Sequence, residues 1–135
     1  MAVERQAGPA GLSFSNSLRV QEPSGTWVYV SGQFGTDDAG TIAPGGLAAE
    51  SKAALENVLK AVRDAGGTAA DVVKITAYVT SLEDYPHYNE VRREVFGSNL
   101  PASTAVGVAS LIVPSATIEI DAVAFLPKAE GRADP

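Results

Sequence analysis

Two acidic residues, Glu119 and Asp121, stand two positions apart in the apolar run Ile118-Glu119-Ile120-Asp121-Ala122-Val123. In an extended strand both side chains leave from one face. The same parity also carries Thr117, Val123 and Phe125, a mixed set, so periodicity favours a solvated face. If Glu119 is instead buried, desolvation raises its pKa and fits it for general acid–base work. The pattern leaves both readings open. A second candidate is Ser31-Gly32-Gln33, directly after the apolar Trp27-Val28-Tyr29-Val30. It lacks the G-x-S-x-G frame of a nucleophile turn and has no histidine nearby. Either it ends a strand, or its free backbone N–H and C=O groups contact a small ligand. His87, the single histidine, has no second histidine with which to share a metal and reads as a surface residue. Between Glu94 and Pro127 there is no lysine or arginine. An anionic substrate held by that stretch needs a cation from elsewhere.

Composition narrows the field. A formal charge of -6 argues against sequence-independent affinity for nucleic acid or anionic membrane, because both depend on basic surface. With no cysteine there is no disulfide, thiol nucleophile or thiolate metal site. Gly45-Gly46 and Gly66-Gly67 lack Walker or dinucleotide spacing, so no cofactor is expected. The aromatics Phe14, Trp27 and Tyr29 read as core or interface. No signal-peptide h-region and no apolar run of roughly 20 residues is present, which gives the expectation of a soluble cytoplasmic protein.

These residues must be placed by a single domain of 135 residues, its core running from about 12 to 126 between frayed ends, Met1–Pro9 and Lys128–Pro135. Leu12–Val20 reads as a strand, with Leu12, Phe14, Leu18 and Val20 on one parity. Glu22-Pro23-Ser24-Gly25 turns into a second strand at Trp27–Ser31. A helix is expected from Leu47 to Ala65, burying Leu55, Val58, Leu59 and Val62 while Glu50, Lys52, Glu56, Lys60 and Arg63 point elsewhere. Val72–Thr80 is the next strand. Asp84-Tyr85-Pro86 opens a second helix, buried through Tyr85, Tyr88, Val91 and Val95 and stopped by Gly97. Ser103–Leu111 and Ala116–Leu126 complete a ββαβαββ order. Several strands are apolar on both parities, yet two helices cover one face. The other face needs a cover, and a second copy of the chain is the one expected.

Val30-Ser31-Gly32-Gln33, Ala54-Leu55-Glu56-Asn57-Val58, Val73-Lys74-Ile75-Thr76-Ala77-Tyr78-Val79, Tyr88-Asn89-Glu90-Val91 and Ile118–Ala124 occur in this order. Together they resemble the Rid (reactive intermediate deaminase) family, also called YjgF-like or endoribonuclease L-PSP-like. The resemblance implies an α+β, chorismate-mutase-like fold, a mixed sheet with two helices on one face, a homotrimer, and clefts between subunits. It also implies cofactor-free hydrolysis of enamines and imines to keto acids and ammonia. Carried over, the water-orienting glutamate is Glu119, the backbone turn is Ser31, Gly32 and Gln33, and Asn89 lies near the cleft. Two positions depart: the carboxylate-clamping arginine after Pro101-Ala102 is Ser103, and the cleft tyrosine is Phe14. A serine makes no charged fork, at a cost on the order of a few kcal/mol of carboxylate binding. The expectation is therefore a small, less anionic reactive metabolite, with Ser103 and Thr104 donating hydrogen bonds and 2-aminoacrylate hydrolysed poorly. A non-catalytic ligand- or partner-binding trimer is the alternative, and ribonuclease activity a third. Arg19, Arg92 and Arg93 are the cations that could replace the missing charge.

Overall fold

A computed structural model of the chain describes residues 2–129. Six strands, β1 (Val3–Ala7), β2 (Ser15–Glu22), β3 (Gly25–Phe34), β4 (Val72–Val79), β5 (Ala102–Gly107) and β6 (Ile118–Pro127), form one sheet in the order β1-β2-β3-β6-β4-β5. Helices α1 (Gly46–Asp64) and α2 (Tyr85–Phe96) connect β3 to β4 and β4 to β5. Only β4 and β5 are parallel. The long crossover through α2 allows this, since a tight turn can join only antiparallel neighbours.

One face of the sheet is packed. Val28 and Val30 of β3, Ile75, Ala77 and Val79 of β4, and Ile118, Ile120, Ala122 and Ala124 of β6 are buried there. Against them α1 sets Ala54, Leu55, Val58 and Val62, and α2 sets Tyr88, Val91 and Phe96. Each fully buried side chain of this size contributes about 1.5–3 kcal/mol before entropy. The α1 stripe is buried as expected; in α2 Tyr88 and Val91 are buried, Tyr85 and Val95 only partly, and Phe96 joins the core, before Gly97, at φ +56°, ends the helix in a conformation that β-branched residues resist. The opposite face is open: Tyr29 and Val106 are exposed there. Among the described residues no helix is long and apolar enough to cross a membrane.

The structure departs from the expected elements in four places. Val3–Ala7, expected to be frayed, is a strand paired with β2; all five of its residues are exposed, so no hydrophobic alternation marked it. The first expected strand begins later, and its parity is reversed. Ser17 is the buried residue, opposite Val30, whereas Leu12 and Phe14 are exposed in the preceding loop. β5 stops at Gly107, leaving 108–117 as a loop. The remaining correction concerns Glu50, which does not face solvent. It is 3% exposed and its carboxylate accepts hydrogen bonds from the Thr117 backbone N–H, at 2.7 Å, and from the Thr117 hydroxyl. The orphan donors at the start of β6 explain a buried acid on a helix. The expected frayed C-terminus lies outside the described residues from 130 onward.

Candidate active site

β3 pairs with β6 in regular register from Gly25 to Val30, then slips: Val30 faces Ala122 while Gln33 faces Ile120. The extra residue is a bulge at Ser31-Gly32, which frees local backbone from the ladder and re-aims side chains. Three contacts fix it. The Ser31 hydroxyl donates to the Ser15 carbonyl at 2.6 Å, and Gln33 Nε2 donates to Asn16 Oδ1 and the Ser31 carbonyl, each at 3.0 Å. From α1, Asn57 Nδ2 donates to the Phe34 and Thr36 carbonyls at 2.9 and 3.1 Å, tying down the end of β3.

The Glu119 carboxylate lies on this bulge. A Cβ placed at Gly32 would stand 2.1 Å from Glu119 Oε2, so only glycine leaves room for the acid. Burial, and then the neighbouring Asp121 charge, push the Glu119 carboxyl above its ordinary pKa. Asp121 in turn accepts a hydrogen bond from the Tyr78 hydroxyl at 3.0 Å. Burial, followed by Asp121 and Glu119, raises the Tyr78 phenol and keeps it protonated as that donor. Neither acid forms an ion pair among the described residues. Around them a cleft of about 840 Å³ is walled by Leu12, Phe14, Tyr29, Ile112 and Val113, with Ser31, Gly32 and Gln33 on its floor. Such a cleft can hold a small, mostly apolar molecule against one carboxyl group of elevated proton affinity.

Glu119, Phe14, Ser31, Gly32 and Gln33 therefore come together within one chain. Asn89, Ser103 and Thr104 do not join them. Ser103 is in register with the buried Ile75 and turns toward α2, whereas Glu119 leaves β6 from the open face. Its hydroxyl accepts a hydrogen bond from Arg92 Nη1 at 2.7 Å. Arg92 also donates through Nη2 to Asn89 Oδ1 at 2.7 Å and to the Tyr85 hydroxyl at 2.8 Å. Thr104 lies on the open face and accepts from Lys74 Nζ at 2.7 Å. Both hydroxyls expected to donate to substrate thus accept from cations. Neither cation belongs to the basic-free span, but tertiary contact brings both to it. Arg19 instead lies near Glu4, and His87 is exposed. The signal for Arg92 was present: Tyr85, Asn89 and Arg92 are spaced i, i+4, i+7, one face of a helix. The acid-holding role of Tyr78 had no such signal, because β4 and β6 pair across 43 positions of chain.

Comparison with known proteins identifies the family. The family model for endoribonuclease L-PSP matches residues 7–126. A RutC family protein of Pyrococcus abyssi is 34% identical over 90% of this chain and 92% of its own. Rat 2-iminobutanoate/2-iminopropanoate deaminase is 42% identical over 72% of this chain and 71% of its own. Among solved structures, the Mycobacterium tuberculosis member of the YjgF/YER057c/UK114 family superimposes with a TM-score of 0.79 at 29% identity, over 93% of this chain and 100% of that one. RidA from an Antarctic Psychrobacter gives 0.77 at 30% identity, over 90% and 94%. Sequence motifs, sheet order and these likenesses coincide, and the chain belongs to the endoribonuclease L-PSP family, the YjgF-like or Rid family.

Proposed function

We propose that this protein hydrolyses a small enamine or imine in a cleft built on Glu119 and completed by a second copy of the chain within a homotrimer. The observation that carries this reading is the Glu119 carboxyl, raised in pKa and seated on the Ser31-Gly32 bulge in an apolar cleft. In the reaction, Glu119 takes a proton from water as the oxygen adds to the imine carbon. That proton passes to nitrogen to give a carbinolamine; Glu119 then carries the carbinolamine hydroxyl proton to the amine, the C–N bond breaks as the C=O bond forms, and ammonia and a carbonyl compound leave. The group returns unchanged, and no metal or organic cofactor is required by this balance. The deaminase names of relatives near 40% identity support the same chemistry.

A second copy enters because Ser103 and Glu119 leave the sheet on opposite faces. A substrate touching both needs them from different chains. The exposed apolar side chains Leu12, Phe14, Tyr29, Val106 and Ile112 fit a surface covered by such a copy. With serine at 103 and phenylalanine at 14, 2-aminoacrylate is hydrolysed more slowly than by relatives bearing an arginine at the position of Ser103. The test generates 2-aminoacrylate and 2-iminobutanoate in situ with an amino-acid dehydratase and follows imine decay and keto-acid release. Hydrolysis lost in Glu119→Gln supports the reading. An unchanged rate in that folded variant refutes it in favour of a non-catalytic ligand-binding protein.

A further inference from the structure

Arg92 is a cation held in place without a counter-charge among the described residues. Its guanidinium sits 5.0 Å from the Tyr88 ring centroid and 5.7 Å from that of Tyr85. Its three hydrogen bonds, to Ser103, Tyr85 and Asn89, all end on neutral oxygens. The ion pairs among the described residues use Arg19, Lys60 and Arg63. A guanidinium has five N–H donors, so two are left without an acceptor among the described residues. Next to it lies a second unmet group. Tyr88 is fully buried, and its hydroxyl, although close to Arg92 and Ser103, makes no hydrogen bond of acceptable geometry. A buried hydroxyl without a partner is unfavourable and marks this corner of the fold as incompletely satisfied. A pocket of about 160 Å³ opens beside Arg92, lined by Asn89, Arg92, Arg93, Leu100, Pro101 and Ser103.

We propose that Arg92 binds the carboxylate of a small ligand in this pocket, with Ser103, Asn89 and Tyr85 fixing the guanidinium that receives it. The proposal rests on the Glu119 reading only for the ligand's identity, a small imino or 2-oxo acid. A charge-assisted bond to a guanidinium already held by three side chains loses little side-chain entropy on binding. Ser103 is small enough to leave this space open, and its oxygen orients Nη1. The positive charge expected on β5 is thus supplied from α2.

Calorimetric titration of the intact assembly with pyruvate and with its neutral amide, pyruvamide, tests the proposal. Pyruvate is expected to bind at least tenfold more tightly than pyruvamide, a preference that Arg92→Met abolishes and Ser103→Ala weakens severalfold. Glu119→Gln is expected to stop hydrolysis and leave the preference intact, so a failure of the catalytic reading stays separate from a failure here. Equal affinity for acid and amide in the unaltered protein, or no binding of pyruvate, overturns the proposal without any variant. So does a folded Arg92→Met protein that keeps its pyruvate affinity. If Arg92→Met changes only the oligomeric state, an acidic group of a neighbouring copy occupies the pocket, which also overturns it. Should Arg92→Met fail to fold, the acid–amide comparison and Ser103→Ala still decide.

Discussion

Two sites on opposite faces of the sheet carry opposite charges. On the open face Glu119 and Asp121 stand together, and Asp121 accepts a hydrogen bond from the neutral Tyr78 hydroxyl. On the helix-covered face, at the β5 edge, Arg92 is surrounded by neutral oxygens and aromatic rings. The acids are held near each other by strand register, which raises the proton affinity of Glu119. The cation is held by helix periodicity and ring stacking, which immobilises it. Strand alternation separates the two groups by a whole sheet, so one chain presents two half-sites of complementary charge. The proposed trimer would bring a half-site of each kind into the same cleft.

Breaking the acidic half should have the largest effect. Glu119→Gln is expected to lower imine hydrolysis by about 10²–10⁴-fold, the usual range for a general acid–base group, with an unchanged melting temperature. A variant that loses rate only through unfolding would remove Glu119 from the mechanism. Gly32→Ala comes next. Its Cβ would stand 2.1 Å from Glu119 Oε2, so the carboxylate must swing aside, a displacement of a flexible side chain and not of backbone. Activity should fall at least tenfold, and a structure of the variant with Glu119 undisplaced would contradict the account.

Sharpening the basic half gives a smaller, conditional effect. Ser103→Arg should raise activity on 2-aminoacrylate, but less than tenfold, because the new guanidinium meets Arg92. The double variant with Arg92→Met should do better than either single change; additive rates would show that the two positions do not interact. The subtlest probe is pH. Glu119 must be ionised to accept a proton, so activity is lost as pH falls through its folded pKa, above the ordinary value of about 4.3. Asp121→Asn removes the second cause of that elevation and should move the acidic limb to lower pH. Movement upward would show that hydrogen bonding, not charge, sets the Glu119 environment. As a control away from both halves, Glu50→Gln should cost on the order of 1–3 kcal/mol in urea denaturation and leave substrate preference alone.

Local patterns made much of this legible. The α1 and α2 stripes at i, i+3, i+4 spacing, the Gly97 stop and the Ser31-Gly32-Gln33 interruption all act over a few residues, and each occurs where its pattern puts it. β1 was hidden because an exposed edge strand has no buried parity, and Glu50 because its partner lies 67 residues away. The placement of Glu119 could not be read from a mixed parity at all.

The sequence by itself determined the family, the helices, and the absence of lysine or arginine from Glu94 to Pro127, because these are properties of order and short-range spacing. Only the tertiary structure decided whether that gap is a gap in space. It is not: α2 carries Arg92 to Ser103, and β4 carries Lys74 to Thr104. Charge acts through distance and solvent, not along the chain, so its distribution is settled only when the strands and helices have packed.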